Sequence, residues 1–225
     1  PVINLENERI RVSVIPGIGG RIVRLEDKKT GINFMREPGD EISAANAGVF
    51  YINYGGYEEY IGKAFASPGW EQEYEYSLSE EGRYRKLVLK TEIPSFQLER
   101  VVSIEKGLSP EVAIKSTLTN SGETETKIML RIHPEMKIGK EIESVYVYAR
   151  RKDGTTSRKH LSSGVMEQPD GVWAAVDEDA NAGIVNYFNP EQAECYLFYD
   201  PVKKFFNMEL MSREKVLAPG ESIVV

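Results

Sequence analysis

The sequence contains one cysteine, two histidines and no long hydrophobic run. Because Cys195 has no second cysteine to pair with, an internal disulfide is impossible, which excludes the disulfide-rich secreted class but not export. Two histidines are too few for a histidine-rich zinc site, and no metal or other cofactor is predicted. No apolar stretch approaches the length that spans a bilayer, so no transmembrane segment is expected.

Positive charge is also scarce, since 28 lysines and arginines stand against 35 aspartates and glutamates, for a formal net charge of -7. Nucleic-acid binding depends on clustered lysine and arginine, so nucleic acid is not an expected partner. The chain starts at Pro1 without methionine, and its first residues lack the basic start and apolar run of a secretory signal. We expect that a signal or a neighbouring domain has been removed, and the localisation stays open.

Apolar residues recur at every second position through most of the chain, which is typical of strands with one buried face. Eleven segments show this alternation clearly and three show it more briefly: residues 10–15, 21–25, 84–93, 96–104, 112–118, 126–133, 145–148, 172–176, 183–187, 195–199 and 205–211, then 32–35, 49–53 and 73–77. Residues 37–47 and 54–70 lack it and are predicted loops. Strands at this spacing indicate a sandwich or barrel, and without a linker one domain over residues 1–225 is expected.

The predicted loop 54–70 combines aromatic residues with carboxylates. Tyr57 and Trp70 offer flat rings that can cover the apolar C–H face of a pyranose, while Glu58 and Glu59 can accept hydrogen bonds from its hydroxyls. Loops on a rigid scaffold commonly carry such binding residues. The segment therefore predicts a sugar-binding loop, and the alternative is a loop whose aromatic rings pack into its own core.

A polar strip is expected on the predicted strand 126–133. Alternation places Lys127, Met129, Arg131 and His133 on one face and apolar residues on the other, which would be core. On the open face of a sandwich, Arg131 and His133 could bind sugar hydroxyls or a uronate carboxylate. The imidazole of His133 is also a plausible proton carrier at physiological pH, and the alternative is a histidine satisfied by a neighbouring strand.

A second polar strip is expected on strand 205–211, where Asn207 and Glu209 share a face. Glu209 and Glu135, like the two glutamates of the predicted loop, are candidates for general acid and base chemistry. In an acidic chain most glutamates are simply solvated, and the sequence does not show whether this strip faces His133.

The opening segment, residues 7–25, reads as strand, glycine-rich turn (Pro16-Gly17-Ile18-Gly19-Gly20) and strand. It resembles the first hairpin of galactose mutarotase-like, or aldose 1-epimerase-like, proteins and of related glycosidase-associated sandwich domains. The glycines and Arg21 are interpreted as packing residues. Further segments that resemble this family's strands, in the same order, are 98–104, 112–120, 128–136, 207–211 and 217–222. The resemblance implies an all-β fold, the large two-sheet antiparallel β-sandwich called the galactose mutarotase-like supersandwich.

The same resemblance implies a role for His133, which ends the stretch Arg131-Ile132-His133 and is followed by Pro134-Glu135. In mutarotases the corresponding histidine is the general acid at the sugar ring oxygen, and Glu209 is the candidate base here. Mutarotases also carry a second histidine and an arginine on earlier strands or a loop. The matching stretch 54–60 contains no histidine, and the other histidine, His160, falls in a basic turn region.

Three functions remain open. The first is a carbohydrate-binding domain, an accessory module of a polysaccharide-processing protein, which holds a mono- or oligosaccharide between loop 54–70 and the strand of His133. The second is an aldose 1-epimerase-like enzyme in which His133 is the acid and Glu209, or Glu58 or Glu59, is the base. The third is a structural domain that packs on a catalytic neighbouring domain. The missing second histidine favours binding, and the sequence identifies neither the sugar nor the oligomeric state.

Overall fold

The computed structural model describes residues 1–37, 44–46, 49–51, 54–63, 68–139, 141–162, 164–165 and 168–225. These ranges hold one short 3-10 helix, Ile142–Ser144, and no helix that is long and apolar enough to cross a membrane. Their strands are, in chain order, β1 (Ile3–Glu6), β2 (Ile10–Ile15), β3 (Arg21–Asp27), β4 (Ile32–Asn33), β5 (Ala44–Asn46), β6 (Val49–Tyr51), β7 (Gly56–Ile61), β8 (Glu75–Glu81), β9 (Tyr84–Ile93), β10 (Phe96–Glu105), β11 (Val112–Asn120), β12 (Thr126–Ile128), β13 (Leu130–Met136), β14 (Val145–Arg150), β15 (Thr156–His160), β16 (Gly164–Val165), β17 (Val172–Asp177), β18 (Ala182–Tyr187), β19 (Ala193–Asp200), β20 (Phe205–Ser212), β21 (Lys215–Leu217) and β22 (Ser222–Val224).

The strands form three larger sheets. Nine strands make one sheet in the order β1-β2-β3-β7-β13-β20-β19-β16, with β4 paired to β3. Five make a second, β22-β11-β10-β9-β8, and four make a third, β15-β14-β17-β18. The pairs β12-β21 and β5-β6 stand apart. Neighbouring strands run antiparallel throughout.

The five-stranded sheet packs on the nine-stranded sheet, and one apolar cluster fills the space between them. Leu87 and Leu98 contribute to this core from one sheet, and Val12 and Val14 contribute from the other. Each side chain of this kind stabilises the fold by about 2 kcal/mol when it is fully buried. The predicted all-β, two-sheet antiparallel sandwich is therefore confirmed.

Most strand predictions are confirmed because one face of each strand is buried. Residues 10–15 and 84–93 coincide with β2 and β9. The strand predicted at 73–77 begins two residues later, at Glu75. In the predicted loop 37–47, residues 44–46 form β5, so the loop prediction is wrong there. Residues 38–43 and 47 of that loop and residues 52–53 of the predicted strand 49–53 lie outside the described part of the chain.

The prediction that residues 54–70 form a loop is wrong for its first half. Gly56–Ile61 is β7, a central strand of the nine-stranded sheet between β3 and β13, and all six residues are buried. Since both faces of β7 are covered, its sequence shows no alternation of apolar and polar residues. Trp70, expected as an exposed ring, is buried as well. Residues 64–67 lie outside the described part of the chain.

The predicted strand 126–133 is two strands that belong to different sheets. β12 pairs with β21, whereas β13 pairs with β7 and β20. The break falls at Met129, where the carbonyl accepts a hydrogen bond from the backbone N–H of Gly62, and the N–H of Leu130 donates to Ser212 Oγ. Alternation therefore does not carry across Met129, and Lys127 is separated from the strand that carries His133.

Candidate functional site

Three adjacent strands, β7, β13 and β20, place their polar side chains on the same face of the nine-stranded sheet, which we call the polar face. Glu58 lies directly opposite His133 in the register between β7 and β13, and Glu135 lies opposite Asn207 between β13 and β20. Because side chains alternate along a strand, Arg131, His133 and Glu135 project to one side together. The structure therefore brings the candidates on three distant segments into one cluster.

His133 is the centre of this cluster. Its Nδ1 lies 2.7 Å from Glu58 Oε1, and its Nε2 lies 2.7 Å from Asn207 Nδ2 and 3.7 Å from Glu209 Oε1. The buried Oδ1 of Asn207 has no hydrogen-bond partner among the described residues. Rotating this amide by half a turn brings Oδ1 to Nε2, where it can accept the second N–H of a protonated imidazole.

Each glutamate of the polar face also contacts an arginine. Arg21 of β3 hydrogen-bonds to Glu58, and Arg131 hydrogen-bonds to Glu209. Arg36 donates to Glu135 Oε2 at 2.6 Å.

The three carboxylates and Arg21 are almost completely removed from water, whereas the side chains of Arg36 and Arg131 are 10% and 17% exposed. Buried charges are costly unless they are paired and hydrogen-bonded, so the three arginines are what allows three carboxylates to remain on this face.

Two groups of the cluster have pKa values above their ordinary range. Burial by itself lowers the pKa of His133, but the carboxylate of Glu58, with help from Glu209 and Glu135, outweighs burial and raises it. The pKa of Glu135 is raised by burial and by the charge of Glu58, which the neighbouring His133 and Arg36 offset only in part. The cluster is therefore able to hold a proton near neutral pH.

The polar face is closed rather than open as expected. Only 5% of the His133 side chain and 1% of the Glu209 side chain are exposed. The rings of Tyr60 and Trp70 pack against the imidazole, with centroids 5.8 Å and 6.0 Å away, and the guanidinium of Arg21 stacks on Trp70 at 5.1 Å. These rings cover His133 from above the sheet.

A cavity of about 490 Å³ opens at the end of the polar face where β13 begins. Arg131 lines it, and its guanidinium lies between the rings of Tyr60 and Tyr196, at 5.5 Å and 5.6 Å from their centroids. Met129 and Met211 add apolar surface, so the wall combines a ring, a cation and thioethers. We call this the first cavity.

Two candidate residues from the sequence do not belong to this cluster. Tyr57 and Glu59 point to the opposite side of β7, into the core between the sheets. There, Arg100 Nε of β10 donates to Glu59 Oε1 at 2.8 Å, and the Tyr57 hydroxyl donates to the same oxygen at 3.0 Å. Ser116 of β11 also donates to it. This second buried charge network joins the two sheets.

Arg21 and Arg36 reach the cluster although the sequence did not suggest them as site residues. Arg21 follows Gly20 at the start of β3, and the carbonyl of Gly55 accepts a hydrogen bond from its Nη1 at 2.6 Å. Buried arginines require carboxylate partners, but the burial of Arg21 and Arg36 becomes visible only in the structure. Within the described ranges, no three His, Cys, Asp or Glu side chains are grouped to hold a metal ion.

Comparisons with known proteins agree with the architecture. Residues 1–105 match the model of a family described as a domain of unknown function, DUF5107. A TPR-domain containing protein from Parabacteroides distasonis is 15% identical with a TM-score of 0.76, and the match covers 99% of this chain but 45% of that one. This chain thus spans less than half of that protein's length.

A galactose mutarotase-like protein from Lactobacillus casei matches over 100% of this chain and 98% of its own, with 9% identity and a TM-score of 0.71. The chain has the galactose mutarotase-like fold. A galactose mutarotase related enzyme from Lactobacillus acidophilus gives the same result, with 12% identity, a TM-score of 0.66, and 100% and 95% of the two chains covered. No curated protein sequence matches at a significant level.

Proposed function

We propose that residues 1–225 act as one carbohydrate-binding domain whose ligand is held at the polar face and the first cavity. The observation that carries this proposal is the convergence of His133, Glu58, Glu209 and Arg131 on one face of a rigid sheet. Sugar hydroxyls both donate and accept hydrogen bonds, and this cluster supplies fixed groups of both kinds.

The first cavity is the place where the proposed ligand enters from solvent and reaches the edge of the polar face. Tyr196 can cover the C–H face of a pyranose while the Arg131 guanidinium beside it donates to ring hydroxyls. The cavity volume of about 490 Å³ lies within the usual range for small-molecule sites. Trp70 and Tyr60 cover His133. A ligand in the first cavity therefore contacts Arg131 and Tyr196 first, and contact with His133 requires the two covering rings to move.

The fold neighbours support a sugar as ligand. Two of the most similar solved structures carry names that refer to galactose mutarotase, and both match essentially the whole of this chain. Those names describe those proteins, and in this chain a sugar ligand is supported by the residues of its own polar face.

An aldose 1-epimerase-like activity is the second candidate, favoured by the 3.7 Å separation of His133 Nε2 and Glu209 Oε1. The ring oxygen and the anomeric hydroxyl of a sugar are bonded to the same carbon, so an acid and a base that serve them must lie close together. Glu209 would take the hydroxyl proton as His133 protonates the ring oxygen and the bond from C1 to that oxygen breaks. The resulting open-chain aldehyde closes to either anomer by the reverse steps.

The test is an NMR screen of the protein against common mono- and oligosaccharides, with the exchange rate of α and β anomers recorded in the same samples. Binding that is lost in Arg131→Ala and kept in His160→Ala supports the carbohydrate-binding domain. Anomer exchange that is accelerated by the protein and abolished by His133→Ala, but not by His160→Ala, establishes the epimerase instead. If no sugar binds, both proposals fail and a structural domain that packs on a neighbouring domain takes their place.

A further inference from the structure

A larger cavity, about 800 Å³, lies at the opposite end of the polar face, where β13 ends. We call it the second cavity. Arg36 lines the second cavity and also donates a hydrogen bond to Glu135 Oε2 of the polar face, at 2.6 Å. Lys137, the first residue after β13, also lines the second cavity. Arg36 is therefore shared between the wall of the second cavity and the end of the polar face.

The wall of the second cavity is held in place by Asp177. Its Oδ1 accepts hydrogen bonds from the backbone N–H groups of Asp179 and Ala180 and from Ser144 Oγ. Gly139 approaches so closely, with φ of +66°, that a Cβ there would lie 1.7 Å from Asp177 Oδ2. This turn is fixed without a ligand, which lowers the entropy that binding must overcome.

Some charged side chains that face the second cavity already have a hydrogen-bond or ion-pair partner. Arg36 is bonded to Glu135, and Glu141 is bonded to Lys204 at 2.7 Å. Within the described part of the chain, the side chains of Lys137 and Asp179 form no hydrogen bond or ion pair. Among the described residues, Lys137 is thus a donor and Asp179 an acceptor without a hydrogen-bond partner. The hydrogen bond from Lys204 and the charge of Lys137 together lower the pKa of Glu141.

The charge of the lining indicates a neutral ligand. Acidic residues outnumber basic ones, since Glu37, Glu141, Asp177 and Asp179 stand against Arg36, Lys137 and Lys203. A phosphate or sulfate would meet this excess of carboxylates. Ile32 and Met35 add apolar surface beside them. Apolar surface with separate donor and acceptor groups is what a neutral polyhydroxylated ring requires.

The two cavities are too far apart to serve one monosaccharide. Arg131 lines the first cavity and Glu135 contacts Arg36 at the second, and these residues are four positions apart on β13. At about 3.3 Å per residue their backbones are about 13 Å apart. A ligand that reaches both ends must therefore contain more than one ring.

We propose, on the basis of the carbohydrate-binding function above, that the second cavity is a subsite for a further sugar unit and that the ligand is a neutral oligosaccharide. Lys137 donates to hydroxyls of this unit, Asp179 accepts from them, and Met35 packs on its C–H face. The polar face lies between this unit and the one held beside Tyr196.

The experiment compares dissociation constants, by isothermal titration calorimetry, for a panel of α- and β-linked disaccharides and trisaccharides and for their constituent monosaccharides. The variant is Lys137→Ala/Asp179→Ala, and Ala180→Trp narrows the cavity independently. The control is Lys152→Ala/Glu123→Ala, which removes the same charges from exposed turns. We expect the best oligosaccharide to bind the wild-type protein and the control at least about tenfold more tightly than any monosaccharide.

In both cavity variants this advantage is expected to disappear, while monosaccharide affinity changes by less than about twofold. Equal affinity for monosaccharides and oligosaccharides, or an advantage that survives both variants, would overturn the subsite and leave sugar binding intact. Absence of binding by every sugar would overturn the carbohydrate-binding function itself, so the two failures are distinguishable.

Discussion

The Nε2 atom of His133 lies 3.7 Å from Oε1 of Glu209 in a part of the protein that water hardly reaches. Glu58 contacts the other ring nitrogen, so the imidazole stands between two carboxylates. A protonated imidazole is stabilised by both, which is why its pKa is raised despite burial.

The first prediction concerns the pH dependence of folding. Because the pKa of His133 in the folded protein is above its ordinary value of 6.5, the folded state binds this proton more tightly than the unfolded state does. The stabilisation is complete below that ordinary value and is lost as pH rises through the folded-state pKa. Urea unfolding across this range should show the free energy of unfolding decline with pH, and His133→Gln should remove this part of the decline.

The control for this prediction uses the second histidine. The chain has two histidines, so the imidazole resonances that remain in His160→Gln belong to His133 and can be followed in an NMR titration. Glu58→Gln should lower the pKa of His133, since it removes the nearest carboxylate. An unchanged His133 titration curve in this variant would show that Glu58 does not set the proton affinity.

The second prediction concerns the buried pair of Arg100 and Glu59. Removing one partner leaves the other charge buried and unpaired, so Arg100→Met and Glu59→Gln should each lower the free energy of unfolding by about 3–5 kcal/mol. The double variant should lose far less than the sum. Urea denaturation of all four proteins measures this coupling.

The matched control is the more exposed pair of Lys90 on β9 and Glu99 on β10. These residues lie opposite each other, with Lys90 Nζ 2.6 Å from Glu99 Oε2. The coupling of this pair should stay below about 1 kcal/mol because water screens it. Similar coupling energies for the two pairs would contradict a structural role for the interior network.

The third prediction concerns Gly19, which has a φ of +68° and whose Cβ, if present, would lie 2.2 Å from the carbonyl oxygen of Trp70. Gly19→Ala should cost at least about 1–3 kcal/mol and displace Trp70, which changes the near-ultraviolet circular dichroism. Gly17→Ala is the control, since a Cβ there has nothing within 4 Å. Equal stability of the two variants would mean that the turn tolerates side chains.

The fourth prediction concerns the single thiol. Burial raises the pKa of Cys195 to about 12, so the reactive thiolate is scarce at neutral pH. Ellman's reagent should leave the native protein unmodified and titrate one thiol per chain in urea. Rapid reaction under native conditions would place Cys195 outside the core.

The sequence predicts those strands well that bury one face. β9 and β10 alternate between core and solvent along ten residues each, and the predicted bounds differ from the observed ones by at most one residue. β7 was missed because its interior and exterior faces are both covered, and because its charged residues find partners far away along the chain. Glu59 meets Arg100, 41 residues on, and no local pattern encodes that pairing.

The sequence suggests several residues of the polar cluster individually but does not predict how they are arranged. His133 and Glu209 are candidates from their residue types and strand positions, and Glu58 is a candidate as a carboxylate of the predicted loop 54–70. Their convergence depends on the order β7-β13-β20, which the sequence does not state. Arg21 and Arg36 were passed over for the same reason, since a salt bridge is visible only when its distant carboxylate is known.

Glu58 and Glu59 are neighbours in the chain, yet one serves the polar face and the other ties the two sheets together. Under the proposed function, selection for a ligand acts on Glu58, whereas selection for a folded chain acts on Glu59. In descendants that abandon the ligand, Glu58 is expected to drift together with Arg21, while Glu59 persists with Arg100. The residues at these two positions would then show which lineages kept the proposed ligand binding and which kept only the fold.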